Sequence, residues 1–220
     1  MKKEIVGFVG CYSHDVILML AKTAVAMERR VLVLDRNRSH TLAASVPIPP
    51  GVSVKEKIVE YDGFFFSGRE LEETMLAEYD LILMDFGVRS LAEDVAFCTR
   101  IFLVTDMLRH HIRQLQKLPL NKDLVNRILI RDAVGGVKTG TPEMREFLEQ
   151  FTNRKECFLP PDSRDVKNRY VCETFHEYQV KHASPELRQF IYDVLRELCE
   201  ELTEREFWKR IKRQERRGYA

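Results

Sequence analysis

The sequence predicts an α/β fold in which a doubly wound, mostly parallel sheet is flanked by helices. Short and almost uninterrupted apolar runs, such as "EIVGFVG" and "YDLILMDFG", alternate along the chain with segments whose apolar residues recur at helical spacing. Strands buried on both faces are apolar throughout, and parallel strands need a crossover that usually contains a helix. We therefore expect one α/β domain over residues 1–202, followed by a basic amphipathic helix or tail over residues 203–220.

The predicted strands are short and rich in apolar, β-branched or aromatic residues. In chain order they are "EIVGFVG" (4–10), "RRVLVLD" (29–35), "DGFFFSG" (62–68), "YDLILMDFG" (79–87), "RIFLVTD" (100–106), "VNRILIRD" (125–132) and "KECFLP" (155–160). Residues 38–53 contain three prolines and several small polar residues, so this segment is predicted to be a long loop.

Helices are predicted where apolar residues recur every three or four positions. In chain order they cover residues 16–27, 69–78, 90–98, 109–118, 141–151 and 184–202. Ser90 is a plausible N-cap with Glu93 closing a capping box. Thr141 is a second predicted N-cap, because Pro142 follows it in the first helical position.

The composition is that of a globular protein with a sizeable core. Of the 220 residues 45% are hydrophobic, and 35 basic residues nearly balance 34 acidic ones, so no net field favours nucleic acid. No apolar run is long enough to span a bilayer. The five cysteines form no C-x-x-C pair, which is typical of reduced thiols, so we expect a cytoplasmic protein without a metal site.

The loop after the first strand, "GCYSHDV", lies at the kind of junction that binds phosphate, because helix N-termini aim backbone N–H groups at anions. A dinucleotide fold would suit Asp35 at the end of the second strand. Its G-x-G-x-x-G pattern, counted from Gly10, would however place Tyr12 and Asp15 where glycines are required. A receiver-type sheet is disfavoured as well, since the first strand is not followed by paired acids.

A P-loop interpretation rests on several aligned stretches. The segment "LAKTAVAMERRVLVLDRN" resembles "LA..LA..G..VLLID.D" of the MinD/ParA-like (SIMIBI-class) P-loop ATPases. The similarity covers about residues 3–160 and implies a P-loop NTPase-like fold. Within it, Gly7 and Gly10 fall on family glycines. Phe8 falls on the signature lysine, Ser13 on the Walker lysine, and His14 on the Mg²⁺-binding Ser/Thr.

The later strands continue the resemblance. "YDLILMDFGVRSLAEDV" is similar to the family's Walker B strand and places Asp85 at the metal-facing position. "RILIRD" resembles the adenine-side strand, with Arg131 in place of asparagine. The resemblance thus implies a degenerate nucleotide site whose residues are Gly7, Gly10, Ser13, His14, Asp35, Asp85 and Arg131.

The departures from the family pattern predict a pseudo-ATPase without catalytic residues. Without the lysines, a triphosphate loses charge-assisted hydrogen bonds and transition-state stabilisation. His14 is a poor Mg²⁺ ligand, and Asp15 adds negative charge beside the loop. We expect no cofactor, with ATP and Mg²⁺ as the open alternative. A working ATPase would need a shifted lysine, either Lys22 or Lys138 in the glycine-rich segment "GGVKTG" (135–140).

The basic tail carries an apolar stripe of Phe207, Trp208 and Ile211 beside Lys209 and Arg210. A basic amphipathic helix of this kind can lie in a membrane interface. MinD-like proteins end in a similar helix, so the resemblance implies peripheral contact with the inner membrane face. Docking on a partner protein and a solvated helix end remain open.

The resemblance as a whole implies a positioning or scaffold protein that acts through protein partners. The chain resembles, in class, atypical family members of the TadZ/CpaE type, which mark sites of pilus or secretion-apparatus assembly. Family members dimerise across the nucleotide; if this chain forms a homodimer, we expect it to do so without ATP through Cys11, Tyr12, Ser13 and His14 of the first loop. The alternatives are an ATP-hydrolysing family member and a regulator that binds another anionic small molecule.

Overall fold

The chain forms an eight-stranded sheet with helices on both faces, in a computed structural model that describes residues 3–88, 93–134, 141–152, 154–198 and 203–217. The strands are β1 Glu4–Gly10, β2 Val31–Asp35, β3 Val59–Tyr61, β4 Phe64–Ser67, β5 Leu81–Gly87, β6 Arg100–Thr105, β7 Val125–Ile130 and β8 Lys155–Phe158. Their order across the sheet is β3-β4-β2-β5-β1-β6-β7-β8. Only the β3–β4 pair is antiparallel among these neighbours, so the predicted fold class is confirmed.

Helices α1 to α5 lie in connections between strands, and α6 to α8 follow the last strand β8. They are α1 His14–Ala26, α2 Thr41–Ala44, α3 Glu73–Glu78, α4 Arg109–Gln116, α5 Pro142–Glu149, α6 Ser163–Phe175, α7 Pro185–Leu198 and α8 Glu204–Arg217. Short 3₁₀ turns cover Glu93–Phe97, Lys122–Leu124 and Val180–His182. The predicted N-cap at Thr141 is confirmed, because its side chain accepts a hydrogen bond from the Met144 N–H.

Four elements differ from the sequence prediction. The segment 38–53, predicted to be a loop, contains the short helix α2, and β3 adds an antiparallel strand at the sheet edge. Helix α6 was not predicted, because its buried face carries the polar residues Asp165 and Asn168 beside Cys172 and therefore lacks an apolar stripe. The predicted helix 90–98 is a 3₁₀ turn in its described part, and Ser90 lies outside the described residues.

Helix α1 lies at the centre of one core layer. Its residues from Val16 to Ala21 are fully buried, because the helix packs between the sheet and helices α6, α7 and α8. Helices α3, α4 and α5 contribute to a second apolar layer. The burial of α1 fixes the β1–α1 loop, and with it the place of the candidate site.

Helix α8 packs its apolar stripe against the same core. Phe207 is fully buried and lies 5.1 Å from the Tyr192 ring between centroids, Ile211 is buried, and Trp208 is half-buried. A membrane or partner contact through this stripe would therefore require α8 to leave α1 and α7. The predicted domain boundary at residue 202 lies outside the described residues. Within the described ranges, no helix has the length and apolar character that a bilayer crossing requires.

Candidate functional site

The two glycines of the first strand are explained by close packing. A Cβ on Gly10, whose φ is +144°, would lie 1.7 Å from the backbone oxygen of Val104 in the neighbouring strand β6. A Cβ on Gly7 would lie 2.8 Å from the Cys98 sulfur and 3.0 Å from the Phe86 ring. Both positions therefore need glycine for the sheet itself, whether or not a phosphate approaches the loop.

A buried ion pair occupies the junction between the loop and helix α1. Arg131, directly after β7, donates from Nη1 to Asp15 Oδ1 at 2.6 Å and from Nη2 to Asp15 Oδ2 at 2.8 Å. Nη1 also donates to the backbone oxygen of Tyr12 at 2.7 Å. The Asp15 side chain is fully buried and that of Arg131 is 2% exposed. This fork-to-fork geometry gives the strongest kind of protein ion pair.

Both members of the pair are charged. Burial alone would raise the pKa of Asp15, but the Arg131 guanidinium outweighs it and holds that pKa below its usual range. Burial alone would lower the pKa of Arg131, but the Asp15 carboxylate outweighs this effect and raises the arginine pKa. The Asp15 carboxylate also accepts the Val16 N–H at 2.9 Å, so the positive end of α1 already holds an anion supplied by the chain.

This pair corrects one step of the sequence argument. The sequence suggested that no cation reaches the first loop and placed Arg131 on the opposite, adenine-side strand. Arg131 does sit at the end of that strand, but its side chain crosses to the loop. Its positive charge is neutralised by Asp15, because both carboxylate oxygens accept hydrogen bonds from the guanidinium.

The acids at the ends of β2 and β5 are paired in register, and each accepts hydrogen bonds from the chain. Asp85 accepts from the Ser13 hydroxyl at 3.0 Å, from Asn37 Nδ2 at 3.2 Å and from the Gly87 N–H at 3.3 Å. Asp35 accepts from the backbone N–H of Asn37 at 3.0 Å and of Ala43 at 2.9 Å. Ser13, at the position that the resemblance gives to the Walker lysine, thus serves as a neutral donor to Asp85.

Burial governs the protonation of these two acids. It raises the pKa of Asp85 to about 6, with a further contribution from the neighbouring Asp35 charge. Burial likewise raises the pKa of Asp35. Asn37 links the two carboxylates, and sequence reasoning missed it. The strand-end aspartate of "LDRN" signals the turn, since an aspartate side chain commonly accepts the backbone N–H two residues on, but the bond of the Asn37 side chain to Asp85 has no signal in the sequence.

His14 is enclosed at the start of α1. It is 5% exposed, and its Nε2 atom has no hydrogen-bond partner among the described atoms. Burial lowers the pKa of its ring, which the nearby Asp15 charge only partly offsets. A neutral, buried imidazole is a poor replacement for a hydroxyl that binds Mg²⁺. Within the described residues, no group of three His, Cys, Asp or Glu side chains could hold a metal ion.

Of the two alternative lysines, only Lys22 lies within the described residues, and it points to a different partner. Lys22 Nζ binds Asp62 Oδ2 at 2.6 Å and lies 5.1 Å from the centre of the Tyr178 ring. It is about 12 Å along the helix axis from His14, given the rise of about 1.5 Å per residue. Lys138 and the rest of "GGVKTG" lie outside the described residues.

Several exposed apolar side chains lie at the same edge of the sheet as the closed loop. This set, here called the carboxyl-edge surface, consists of Tyr12, Leu108, Val134, Val166 and Tyr170, all exposed by 45% or more. Its members follow β1, β6, β7 and β8, which are consecutive in the sheet. Isolated exposed apolar residues need no explanation, but several beyond the ends of consecutive strands suggest an interaction surface.

The predicted contact loop is therefore only partly available to a partner. Tyr12 is exposed, with Arg169 stacked 5.2 Å from its ring centre, and Cys11 is half-buried. Ser13 and His14 are 3% and 5% exposed. The expectation that these two contact a partner is wrong for this structure, because Ser13 turns inward to Asp85 and His14 begins the buried helix α1.

The fold is shared with solved structures of ParA and MinD type. A ParA family ATPase from Chlorobium tepidum TLS is 14% identical, with a TM-score of 0.59 over 87% of this chain and 98% of its own. The MinC:MinD cell division protein complex of Aquifex aeolicus is 13% identical, with a TM-score of 0.60 over 91% and 98%. Cobyrinic acid a,c-diamide synthase of Mycobacterium smegmatis is 11% identical, with a TM-score of 0.54 over 90% and 96%.

These likenesses are structural, since no family model and no curated protein matches the sequence. The three solved structures are described as an ATPase, a cell division complex and a synthase, so the shared fold supports more than one activity. At such low identities they establish the fold alone. This chain therefore has the P-loop NTPase-like fold of ParA- and MinD-type proteins, and its activity has to be argued from its own residues.

Proposed function

We propose that this protein is a non-catalytic positioning or scaffold protein in which the Asp15–Arg131 ion pair closes a degenerate nucleotide site. The pair is the observation that carries the proposal. A nucleotide phosphate at the start of α1 would meet the Asp15 carboxylate instead of free N–H groups and a lysine. Breaking the pair to admit it would leave a buried charge without its partner, at a cost of about 3–5 kcal/mol.

The acids support the same conclusion. Asp85 accepts hydrogen bonds from Ser13, Asn37 and Gly87, and Asp35 from two backbone N–H groups. A Mg²⁺ ion would have to displace these donors and would find a buried imidazole in place of a hydroxyl at His14. We therefore propose that neither ATP nor Mg²⁺ is a cofactor, and that the protein is a pseudo-ATPase.

Titration calorimetry with ATP and Mg²⁺ on the full chain tests the closed site. We expect no binding at about 1 mM nucleotide. A dissociation constant at or below about 0.1 mM, together with a melting temperature that rises with ligand concentration, would contradict the proposal and favour a working ATPase. Titration with ADP and with inorganic phosphate in the same series would reveal a regulator that responds to another anion.

We further propose that the protein acts through partners on the carboxyl-edge surface, with a second copy of this chain as the first candidate. Tyr12 is the central residue, because it is exposed and belongs to the closed loop. Pilus or secretion-apparatus components are further candidate partners in the cytoplasm, and peripheral binding at the inner membrane face through α8 remains a separate proposal.

Light scattering after size exclusion tests the dimer. Tyr12→Glu should shift the protein from dimer to monomer. Phe97→Glu is the matched control, because Phe97 is 49% exposed but lies before β6, at the opposite edge of the sheet. An unchanged dimer in Tyr12→Glu, or equal disruption by Phe97→Glu, would remove this surface as the interface.

A further inference from the structure

Strand β8 is an edge strand whose backbone is open on one side. It pairs with β7, and no described strand lies beyond it. Leu159, just after β8, directs both its N–H and its carbonyl toward the β7 side, to Ile130 and Ala133 at 2.8 Å each. Because the direction of these groups alternates along a strand, Glu156 and Phe158 present theirs away from β7.

A groove runs along this open edge. It is a cavity of about 610 Å³ between β8 and helix α7, and it contains apolar surface from Cys157, Phe158, Pro185 and Phe190. The groove is independent of the candidate nucleotide site, since it lies at the far edge of the sheet from β2 and β5. Its position beside open backbone groups suits an extended peptide better than a compact ligand.

Four acids and three cations line the groove, and two of the acids form no ion pair within the described residues. Glu197 is neutralised by Arg127 at 2.7 Å and by Lys155, and Glu156 is paired with Arg154 at 2.7 Å. Glu186 and Asp193 also line the groove, and neither forms an ion pair with a described cation. They are seven residues apart and so lie on one face of α7, two turns from each other.

The electrostatic surroundings of Cys157 agree with the position of both acids along the groove. Burial raises the pKa of the Cys157 thiol to about 11, and the charges of Asp193 and Glu186 contribute in the same direction, against Arg127. The one lining cation without a described ion pair, Arg196, lies 5.7 Å from the centre of the Tyr192 ring on its own helix. An occupant would therefore meet two carboxylates that form no ion pair within the described residues, of which Asp193 accepts a hydrogen bond from the neutral Gln189 amide at 3.0 Å.

We infer that this groove binds an extended, basic segment of a partner protein, which adds to β8 as a ninth strand. The backbone groups of Glu156 and Phe158 pair with the segment's backbone. Its lysine or arginine side chains on the α7 side meet Glu186 and Asp193, and its apolar side chains, which alternate to the other face of the sheet, cover Phe158. The inference does not depend on whether the first loop binds nucleotide.

Three synthetic peptides of about eight residues test the inference on the full chain. The first alternates valine and lysine. The second alternates valine and glutamate. The third is the valine–lysine peptide with alternate backbone nitrogens methylated, so that it keeps the charge but cannot extend a sheet. Fluorescence anisotropy at about 0.15 M salt measures affinity, and hydrogen exchange measures protection of the β8 amides.

We expect the valine–lysine peptide to bind and to protect the amides of Glu156 and Phe158. Binding should weaken by at least about tenfold for each of the other two peptides. The double variant Glu186→Lys/Asp193→Lys should weaken it similarly. The matched control, Glu146→Lys/Glu149→Lys on the exposed face of α5, should leave it unchanged. Thermal unfolding of each variant verifies that the fold is intact.

Several results would overturn the inference. One is absence of binding of the valine–lysine peptide at about 1 mM. Another is equal binding of the methylated peptide, which would reduce the interaction to charge alone. Equal loss in the α5 control variant would show that the effect of the acids is not specific to the groove.

Discussion

Replacing Arg131 with methionine would leave the Asp15 carboxylate buried without its cation. The arginine makes hydrogen bonds of 2.6 and 2.8 Å to Asp15 and one of 2.7 Å to the Tyr12 carbonyl, and all three are lost in Arg131→Met. Removal of one partner from such a fully buried pair costs about 3–5 kcal/mol. For a chain of this length, each 1 kcal/mol lowers the melting temperature by about 2–4 °C, so we expect a fall of about 6–20 °C.

The double variant Asp15→Leu/Arg131→Met measures the net contribution of the whole ion pair, as distinct from the cost of removing one member. Because both charges are removed together and leucine resembles aspartate in shape, the double variant should recover most of the lost stability or exceed the wild type. Urea unfolding of the four proteins gives the free energies and the coupling between the sites. A cost below about 1 kcal/mol for Arg131→Met, or strict additivity in the double variant, would refute the assignment of a tight buried pair.

The pH dependence of unfolding adds a second signature of the same pair. Arg131 holds the pKa of Asp15 below its unfolded value of about 3.9. The stabilisation is therefore present above that unfolded value and is lost as the pH falls through the lower folded value. The double variant should lack this acid-dependent loss.

Three further predictions concern stability. Because burial raises the pKa of Asp85 to about 6, the free energy of unfolding should fall by about 3 kcal/mol as the pH rises from about 4 to about 6. Urea unfolding of Asp85→Asn should not show this decrease. Gly10→Ala should cost more than about 3 kcal/mol because of the clash with Val104, whereas Gly51→Ala, with positive φ but open space, should cost about 1 kcal/mol by thermal unfolding. Phe207→Ala should cost about 3–5 kcal/mol in calorimetry if α8 is docked, and a change below about 1 kcal/mol would indicate a detached helix.

The fold was predictable because its central strands are buried on both faces and therefore have continuous apolar sequences. Strand β3 was missed because it is an edge strand of only three residues whose side chains are half-buried or exposed. Helix α6 was missed because Asp165 faces inward, where it accepts hydrogen bonds from the Ser184 N–H and hydroxyl at 2.7 Å each. A polar residue on a buried face removes the helical pattern that a sequence analysis detects.

The positions of the candidate site residues in the fold were predictable, but the contacts of their side chains were not. The aligned residues Ser13, Asp85 and Arg131 do lie at the carboxyl edge of the sheet, as the alternation of strands and helices requires. The bond between Asp15 and Arg131, however, joins residues 116 positions apart. No spacing rule predicts which side chain a long arginine will reach, because that choice depends on packing across the two strands.

The central claim is that the chain's own ion pair occupies the place where a nucleotide phosphate would bind. A crystal structure of the full chain grown with a non-hydrolysable ATP analogue and Mg²⁺ tests it most directly. We predict that Arg131 remains bidentate on Asp15 and that no nucleotide density appears at the start of α1. Phosphate density on the α1 N–H groups, with Arg131 turned away from Asp15, would contradict the account.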